Sequence, residues 1–367
     1  MQWYEINSID KVDSPSLVLY ASRIKENINS LIKMVDGKVD QLRPHVKTNK
    51  IAEVCKLMMD KGIRHYKCAT IAEAEMLGVL KTPDVLIAHQ LMGPKLDRLI
   101  QLVASFPETK FSCLVDNLST AQAVSNIFGE QGWTGRVYLD VNIGMNRSGI
   151  VTEKALALFE LVVSLPHLTI LGLHCYDGHI RETDIAKRNS QADEVFENAA
   201  TLRKKIEAIG GAPLEVILAG SCSFSSHLKR KNIQISPGTF VFWDWGYKNL
   251  FPDLPFEFAA LVVTRIISII DEHTVCTDLG HKAVAAENPM PRVHFLNAPL
   301  AEPVGQSEEH LVVKVQDSAK YKVGDVWYGV PVHICPTVAL YDSALVVENN
   351  MVVDAWEVIA RKRKINI

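Results

Sequence analysis

The chain has 367 residues, 48% of them hydrophobic and 22% charged, with 39 Lys and Arg against 42 Asp and Glu for a net charge of −3. That is the composition of a globular protein long enough for two domains, and it carries no overall basic field that would attract nucleic acid. No uncharged apolar run approaches the roughly 18 residues that a membrane span needs, so no membrane partner is expected.

The first fifteen residues, MQWYEINSIDKVDSP, mix charge and polarity and lack the apolar core of a secretory signal. Seven cysteines are scattered along the chain with no CxxC pair, the usage of reduced thiols in a cytoplasmic enzyme. From about residue 41 to 240 short apolar runs alternate with longer amphipathic ones. LRPHVK, HYKCAT, DVLIAH, KFSCLVD, RVYLDVN, LTILGLHCY, EVILAGS and NIQISPG read as strands. IAEVCKLMMDKG, PKLDRLIQLVASF, EKALALFELVVSL and DEVFENAATLRKKIEAIG are apolar at helical spacing. Eight such units predict a parallel (β/α)8 barrel over residues 15–255, although a doubly wound open sheet has the same periodicity. Pro44 inside LRPHVK is a poor fit, because proline offers no ladder donor. From residue 256 to 367 the runs turn β-rich, with Gly, Asn and Pro between them, and predict a second, all-β domain. Residues 1–14 are expected to pack with that domain, and the early strand PSLVLY is a candidate for the same place.

Active sites of such barrels are built at the carboxyl ends of the strands. There the sequence places Lys47, His89 with Gln90, Asn142 with Arg147, Tyr176 with Asp177 and His179, Gly220 with Ser221, and Gly238 with Thr239. Two glycine-plus-hydroxyl corners on adjacent strands can offer N–H and O–H groups to one phosphate. With a lysine at a strand end, they suggest pyridoxal 5′-phosphate held covalently by the lysine and through its phosphate by the corners.

RPHVKTNK, NIGMNRSG, YDGH, SPGTFVF and HICPTVALYD together resemble the D-threonine aldolase and D-serine dehydratase family. These are pyridoxal-phosphate enzymes with an alanine-racemase-type barrel and a C-terminal β domain. The resemblance runs along nearly the whole chain, with the motifs in order. It implies that Lys47 is the Schiff-base lysine, that Arg147 lies near the cofactor ring, and that Tyr176 lies against it. It further implies that Ser221, Gly238 and Thr239 hold the phosphate, with Gly220 supplying the turn, and that His333 and Cys335 bind a divalent metal. A homodimer acting on a D-amino acid is the corresponding expectation.

Residues two apart on a strand point to one side, so HIC can present imidazole and thiolate to one ion. Two protein ligands leave positions open for water and substrate, and a thiolate favours zinc over magnesium or manganese. The same pair departs from the aldolase branch, which carries His-x-Asp here, and resembles the dehydratase branch. The remainder of the chain resembles the bacterial D-threonine-aldolase-like group, so the two signals conflict, and the activity the resemblance implies first is a metal-dependent lyase that cleaves a β-hydroxy D-amino acid to glycine and an aldehyde. A D-serine-dehydratase-like ammonia-lyase is the alternative, followed by an amino-acid racemase or a non-catalytic cofactor-binding protein.

Overall fold

The computed structural model describes residues 1–209 and 213–367. Its strands are β1 (Ser16–Tyr20), β2 (His65–Cys68), β3 (Asp84–Gln90), β4 (Lys110–Val115), β5 (Gly135–Asn142), β6 (Ile150–Val151), β7 (Leu168–Cys175), β8 (Glu215–Leu218), β9 (Gln234–Ile235), β10 (Ala260–Asp271), β11 (Thr274–Thr277), β12 (Val293–Phe295), β13 (Glu302–Gln306), β14 (Leu311–Lys314), β15 (Val326–Pro331), β16 (Ser343–Glu348) and β17 (Met351–Glu357). Its helices are α1 (Ala21–Met34), α2 (Ala52–Met59), α3 (Ile71–Val79), α4 (Pro94–Ser105), α5 (Leu118–Glu130), α6 (Thr152–Val163), α7 (Ile185–Ala208), α8 (Trp245–Leu250) and α9 (Ile334–Val338). The chain divides into two compact units, one of residues 32–47, 55–238 and 362–367, the other of residues 1–31, 48–54 and 239–361.

In the first unit β2, β3, β4, β5, β7, β8 and β9 pair in that order, every pair parallel. Both faces of such strands are covered, which is why they read as continuous apolar runs. The segment 42–46 closes the ring. Arg43 and His45 donate their N–H groups to the carbonyls of Ile235 and Pro237, while Val46 donates to Lys67 and Lys67 donates back to Pro44. Leu42 and His45 form only isolated parallel bridges. Pro44 has no N–H to extend the ladder on the β2 side, so the first strand is reduced to those bridges while the closure holds. The fold is an alanine-racemase-like barrel with a second, mixed sheet.

Helix starts follow local capping chemistry. The Thr70 hydroxyl accepts the Glu73 N–H at 3.1 Å, and the Glu73 carboxylate accepts the Ala69 N–H at 2.7 Å, a variant of the reciprocal capping box. The Asn117 and Asp184 side chains accept the Thr120 and Lys187 N–H groups and so cap α5 and α7, without a return bond among the described residues. The α7 helix starts eight residues before DEVFENAATLRKKIEAIG, at the Asp184 cap. Its first turns, IAKRNSQA, are too polar to show a helical period.

In the second unit a nine-stranded sheet runs β13-β14-β11-β10-β1-β16-β17, with β15 pairing β10 and β12. The early strand β1 lies antiparallel to β10 and parallel to β16. Val262, Val275, Leu311, Val313, Phe295 and Trp327 form one of its apolar clusters.

Candidate active site

Lys47 stands where the closing segment 42–46 ends, its side chain exposed and its N–H donated to His45 Nδ1 at 3.2 Å. Within the same unit Arg147, from the loop after β5, lies over the Tyr176 ring with its guanidinium 4.9 Å from the centroid. Two glycines shape the slot for that ring. A Cβ on Gly178 would lie 2.3 Å from Tyr176 Cζ, and one on Gly220 would lie 2.8 Å from Tyr176 Cε2. Neither position accepts a larger residue without moving the ring. The Gly238 N–H donates to Ser221 Oγ at 3.1 Å, which joins the corners after β8 and β9 into one polar ledge. Two residues before Gly238, the buried Ser236 hydroxyl has no hydrogen-bond partner among the described residues. An orphaned buried hydroxyl two residues along the chain from a hydroxyl-and-amide ledge fits a phosphate-bearing ligand.

Other residues named from sequence shape the loops. Asn142 Oδ1 accepts the N–H groups of Gly144 and Asn146, which folds NIGMN into a tight turn. Asp177 is fully buried, and it accepts from Ser223 Oγ at 2.6 Å and faces His227 Nε2 at 2.9 Å. It thus ties YDGH to the segment following Ser221. Gln90 donates to Asp116 and Asp140, while His89 is exposed and faces the Gln90 carbonyl.

The structure also assembles a network that sequence reading missed. Lys67 on β2 has its amine 3.4 Å from His174 Nε2, and His174 Nδ1 lies 2.8 Å from Asp140 Oδ1. Asp140 Oδ2 accepts from Gln90 and Ser148. Burial raises the Asp140 pKa, but the hydrogen bonds and charge of His174, with those two donors, outweigh it and hold the carboxylate below its ordinary value. Burial pushes Lys67 down to about 7, helped by the Lys47 and Arg43 cations. Burial also pushes the Tyr176 phenol up to about 12. The available signal was a titratable side chain inside each of three barrel-strand runs, Lys67 in HYKC, Asp140 in VYLDV and His174 in LGLHC. Such residues are costly inside a barrel unless they pair.

In the second unit HIC is not on a strand. β15 ends at Pro331, and His333 is the N-cap of α9. Pro336 suits a first helical turn, where its missing N–H costs nothing, and the buried Asp244 carboxylate accepts the Ile334 N–H at 3.1 Å. The pair still comes together. The His333 imidazole and the Cys335 thiol lie close enough to shift each other's titration, and His333 Nδ1 lies 2.5 Å from Glu287 Oε1. Burial pushes Cys335 up, but the hydrogen bond and charge of His333 bring it below its ordinary value. Burial lowers His333, and Cys335 with Glu287 lift it to about 9. Thr48 Oγ1 lies 3.1 Å and Thr239 Oγ1 3.6 Å from Cys335 Sγ, so the Thr239 hydroxyl is placed beside the thiol. An imidazole and a thiolate-prone sulfur suit a zinc-class ion. No cluster of three or more His, Cys, Asp or Glu side chains suited to an ion occurs among the described residues, so only two protein ligands are on offer.

No helix among the described residues is long and apolar enough to cross a membrane. The family model for the alanine racemase N-terminal domain matches residues 20–244, and that for a putative serine dehydratase domain matches residues 259–347. The chain is 27% identical to a D-threonine aldolase of an Arthrobacter species, over 96% of this chain and 93% of that protein. It is 26% identical to a 3-hydroxy-D-aspartate aldolase of Paracoccus denitrificans, over 96% and 92%. The crystal structure of a D-threonine aldolase from Filomicrobium marinum superposes with a TM-score of 0.88 at 27% identity, covering 97% of this chain and 98% of the other.

Proposed function

The chain belongs to the alanine racemase N-terminal domain family, and from that premise we propose that it is a pyridoxal-phosphate- and divalent-metal-dependent lyase acting on a β-hydroxy D-amino acid. Retro-aldol cleavage to glycine and an aldehyde is the leading reaction. The observation that carries the reading is the barrel mouth, where an exposed Lys47, the Arg147–Tyr176 pair and the Ser221–Gly238 ledge stand at strand ends.

In this reading pyridoxal phosphate, once bound, withdraws electrons from the substrate Cα, and the metal ion polarises the β-hydroxyl. Lys47 would hold the cofactor through its amine; in retro-aldol cleavage a base would take the proton of the β-hydroxyl as the Cα–Cβ bond breaks, and the Lys47 amine is the candidate to return a proton to Cα. Tyr176, fixed by its two glycines, supplies a flat face, and the Arg147 guanidinium is a permanent cation for an oxygen of the ring. Gly220, Ser221, Gly238 and Thr239 hold the phosphate, and His333 with Cys335 holds the metal, zinc by the softness of sulfur. The protein is proposed to work as a homodimer.

Cys335 favours a second reading. A sulfur ligand belongs to the dehydratase pattern, in which Lys47 removes the Cα proton, the β-hydroxyl leaves as water, and a keto acid and ammonia result. Incubating the cofactor- and zinc-loaded protein with D-threonine, D-serine and D-3-hydroxyaspartate separates the two. Glycine with an aldehyde is the expected outcome, keto acid with ammonia establishes the alternative, and no turnover of any of the three refutes both.

A further inference from the structure

Lys67 has no role in the proposed chemistry, yet it is placed unlike a structural lysine. Only 2% of it is exposed, and it forms no ion pair among the described residues. Its amine meets His174 Nε2 at 3.4 Å and lies 5.7 Å from the centroid of the Tyr176 ring. His174 does not provide the missing negative charge. Its Nδ1–H donates to the Asp140 carboxylate, which leaves Nε2 as an acceptor for the amine. Burial and the nearby Lys67 lower the His174 pKa, which keeps the imidazole neutral. The charged groups that bear on Lys67 are Lys47 and Arg43 from the closing segment, Asp140 from β5 and Asp177 from the loop after β7. Both carboxylates are already engaged, Asp140 by His174, Gln90 and Ser148, and Asp177 by Ser223 and His227. A lysine so buried, facing two cations, gives up its proton near neutral pH, in line with its value of about 7.

The Tyr176 ring is a neighbour of both this amine and the glycine corner after β8, where it lies against the Cβ position of Gly220, next to Ser221. We propose that Lys67 is an anion-responsive amine of this site, taking up a proton from solvent when a phosphate monoester docks at the Ser221–Gly238 ledge and helping to hold it. The ligand class rests on the cofactor reading above; the coupling to Lys67 is additional. A phosphate monoester carries close to two negative charges above pH 7, and in buried surroundings that field is weakly screened. It offsets part of the burial penalty and opposes the fields of Lys47 and Arg43, and so favours the protonated amine.

The test is calorimetric titration of the full-length apoprotein at pH 8 with pyridoxine 5′-phosphate, which has no aldehyde to react with Lys47. Running it in HEPES and in Tris, whose ionisation heats differ, yields the number of protons taken up. The expected result is between about half a proton and one proton per ligand bound. Lys67→Met should abolish the uptake and weaken binding roughly tenfold. Lys67→Arg, always charged, should bind well with no uptake, a combination that a packing role does not produce. Should both variants misfold, NMR of 13C-lysine-labelled wild-type protein gives the answer directly: one lysine titrating near neutrality, displaced to higher pH by the ligand. Binding without uptake, or uptake unchanged in both variants, overturns the role of Lys67 and leaves the cofactor reading intact. No binding of the phosphate ester at all overturns the cofactor reading itself.

Discussion

Replacing Gly220 by alanine isolates how the Tyr176 ring is held. The added Cβ would sit 2.8 Å from Tyr176 Cε2 and 3.4 Å from its hydroxyl oxygen. Ordinary carbon contacts lie at about 3.5–4.0 Å, so the ring must retreat by roughly 0.7–1.2 Å. The ring also approaches Gly178 so closely that a Cβ there would lie 2.3–2.4 Å from its Cζ, hydroxyl and Cε1 atoms, so a shift in that direction soon meets the bare Gly178 backbone. Overpacking of this kind costs about 1–3 kcal/mol. Urea unfolding of wild type, Gly220→Ala, Tyr176→Ala and the double variant measures it as a cycle. The expected coupling is nearly the whole cost of Gly220→Ala, because the alanine meets nothing close once the ring is gone. Bound-cofactor absorbance should fall in Gly220→Ala alongside stability. An unaltered midpoint and full cofactor occupancy in Gly220→Ala would falsify the two-glycine slot, and equal costs in both backgrounds would place the strain elsewhere.

Borohydride reduction of the cofactor-loaded protein followed by peptide mapping should put the label on Lys47; label on Lys67 instead would reassign the covalent lysine. Glu287→Gln should weaken zinc binding about 10–100-fold, measured by chelator competition, because Glu287 orients the His333 ring; an unchanged affinity means that the 2.5 Å contact is incidental. Lys67 also predicts a pH dependence of folding. Its folded pKa of about 7 lies below its ordinary value of 10.5, so between those values the unfolded chain holds more protons and stability rises with pH, by up to about 1.4 kcal/mol per pH unit from this group. Urea unfolding at pH 7.5 and 9.5 should show that rise in wild type and its loss in Lys67→Met; parallel slopes contradict it.

What was legible in the sequence was what repeats locally. Parallel strands covered on both faces appear as apolar runs such as DVLIAH and KFSCLVD, and β3 and β4 fall on them. The glycine corners and Lys47 are strand-end features, visible because the strands are. The Lys67–His174–Asp140 network was not legible, because its members lie 34 and 107 residues apart and meet only through barrel closure. The early strand PSLVLY could be named as a candidate for the β-rich sheet, where β1 does lie, but its partners β10 and β16 could not, since they begin more than 230 residues later. HIC was misread as a strand because VWYGVPVHIC continues β15 in composition. The capping carboxylate that turns it into a helix start, Asp244, comes from 90 residues earlier.

That misreading changes the physical basis of the metal proposal. On a strand, His333 and Cys335 would share a side through the pleat alone. Here the corner is held from outside its own residues. Asp244 takes the Ile334 N–H, Thr337 Oγ1 donates to the His333 carbonyl at 2.8 Å, and the Ala285 N–H donates to that hydroxyl at 3.2 Å. None of these bonds uses the Cys335 side chain, so the backbone that presents it is organised independently of the ligand it carries. Metal preference is then a property of one side chain on a fixed corner. Cys335→Asp should shift preference from zinc toward manganese or magnesium without loss of fold, read by metal competition and urea unfolding together. If that variant unfolds, the thiol is part of what builds the corner. A folded variant that still prefers zinc would place the selectivity in His333 and the surroundings rather than in the sulfur.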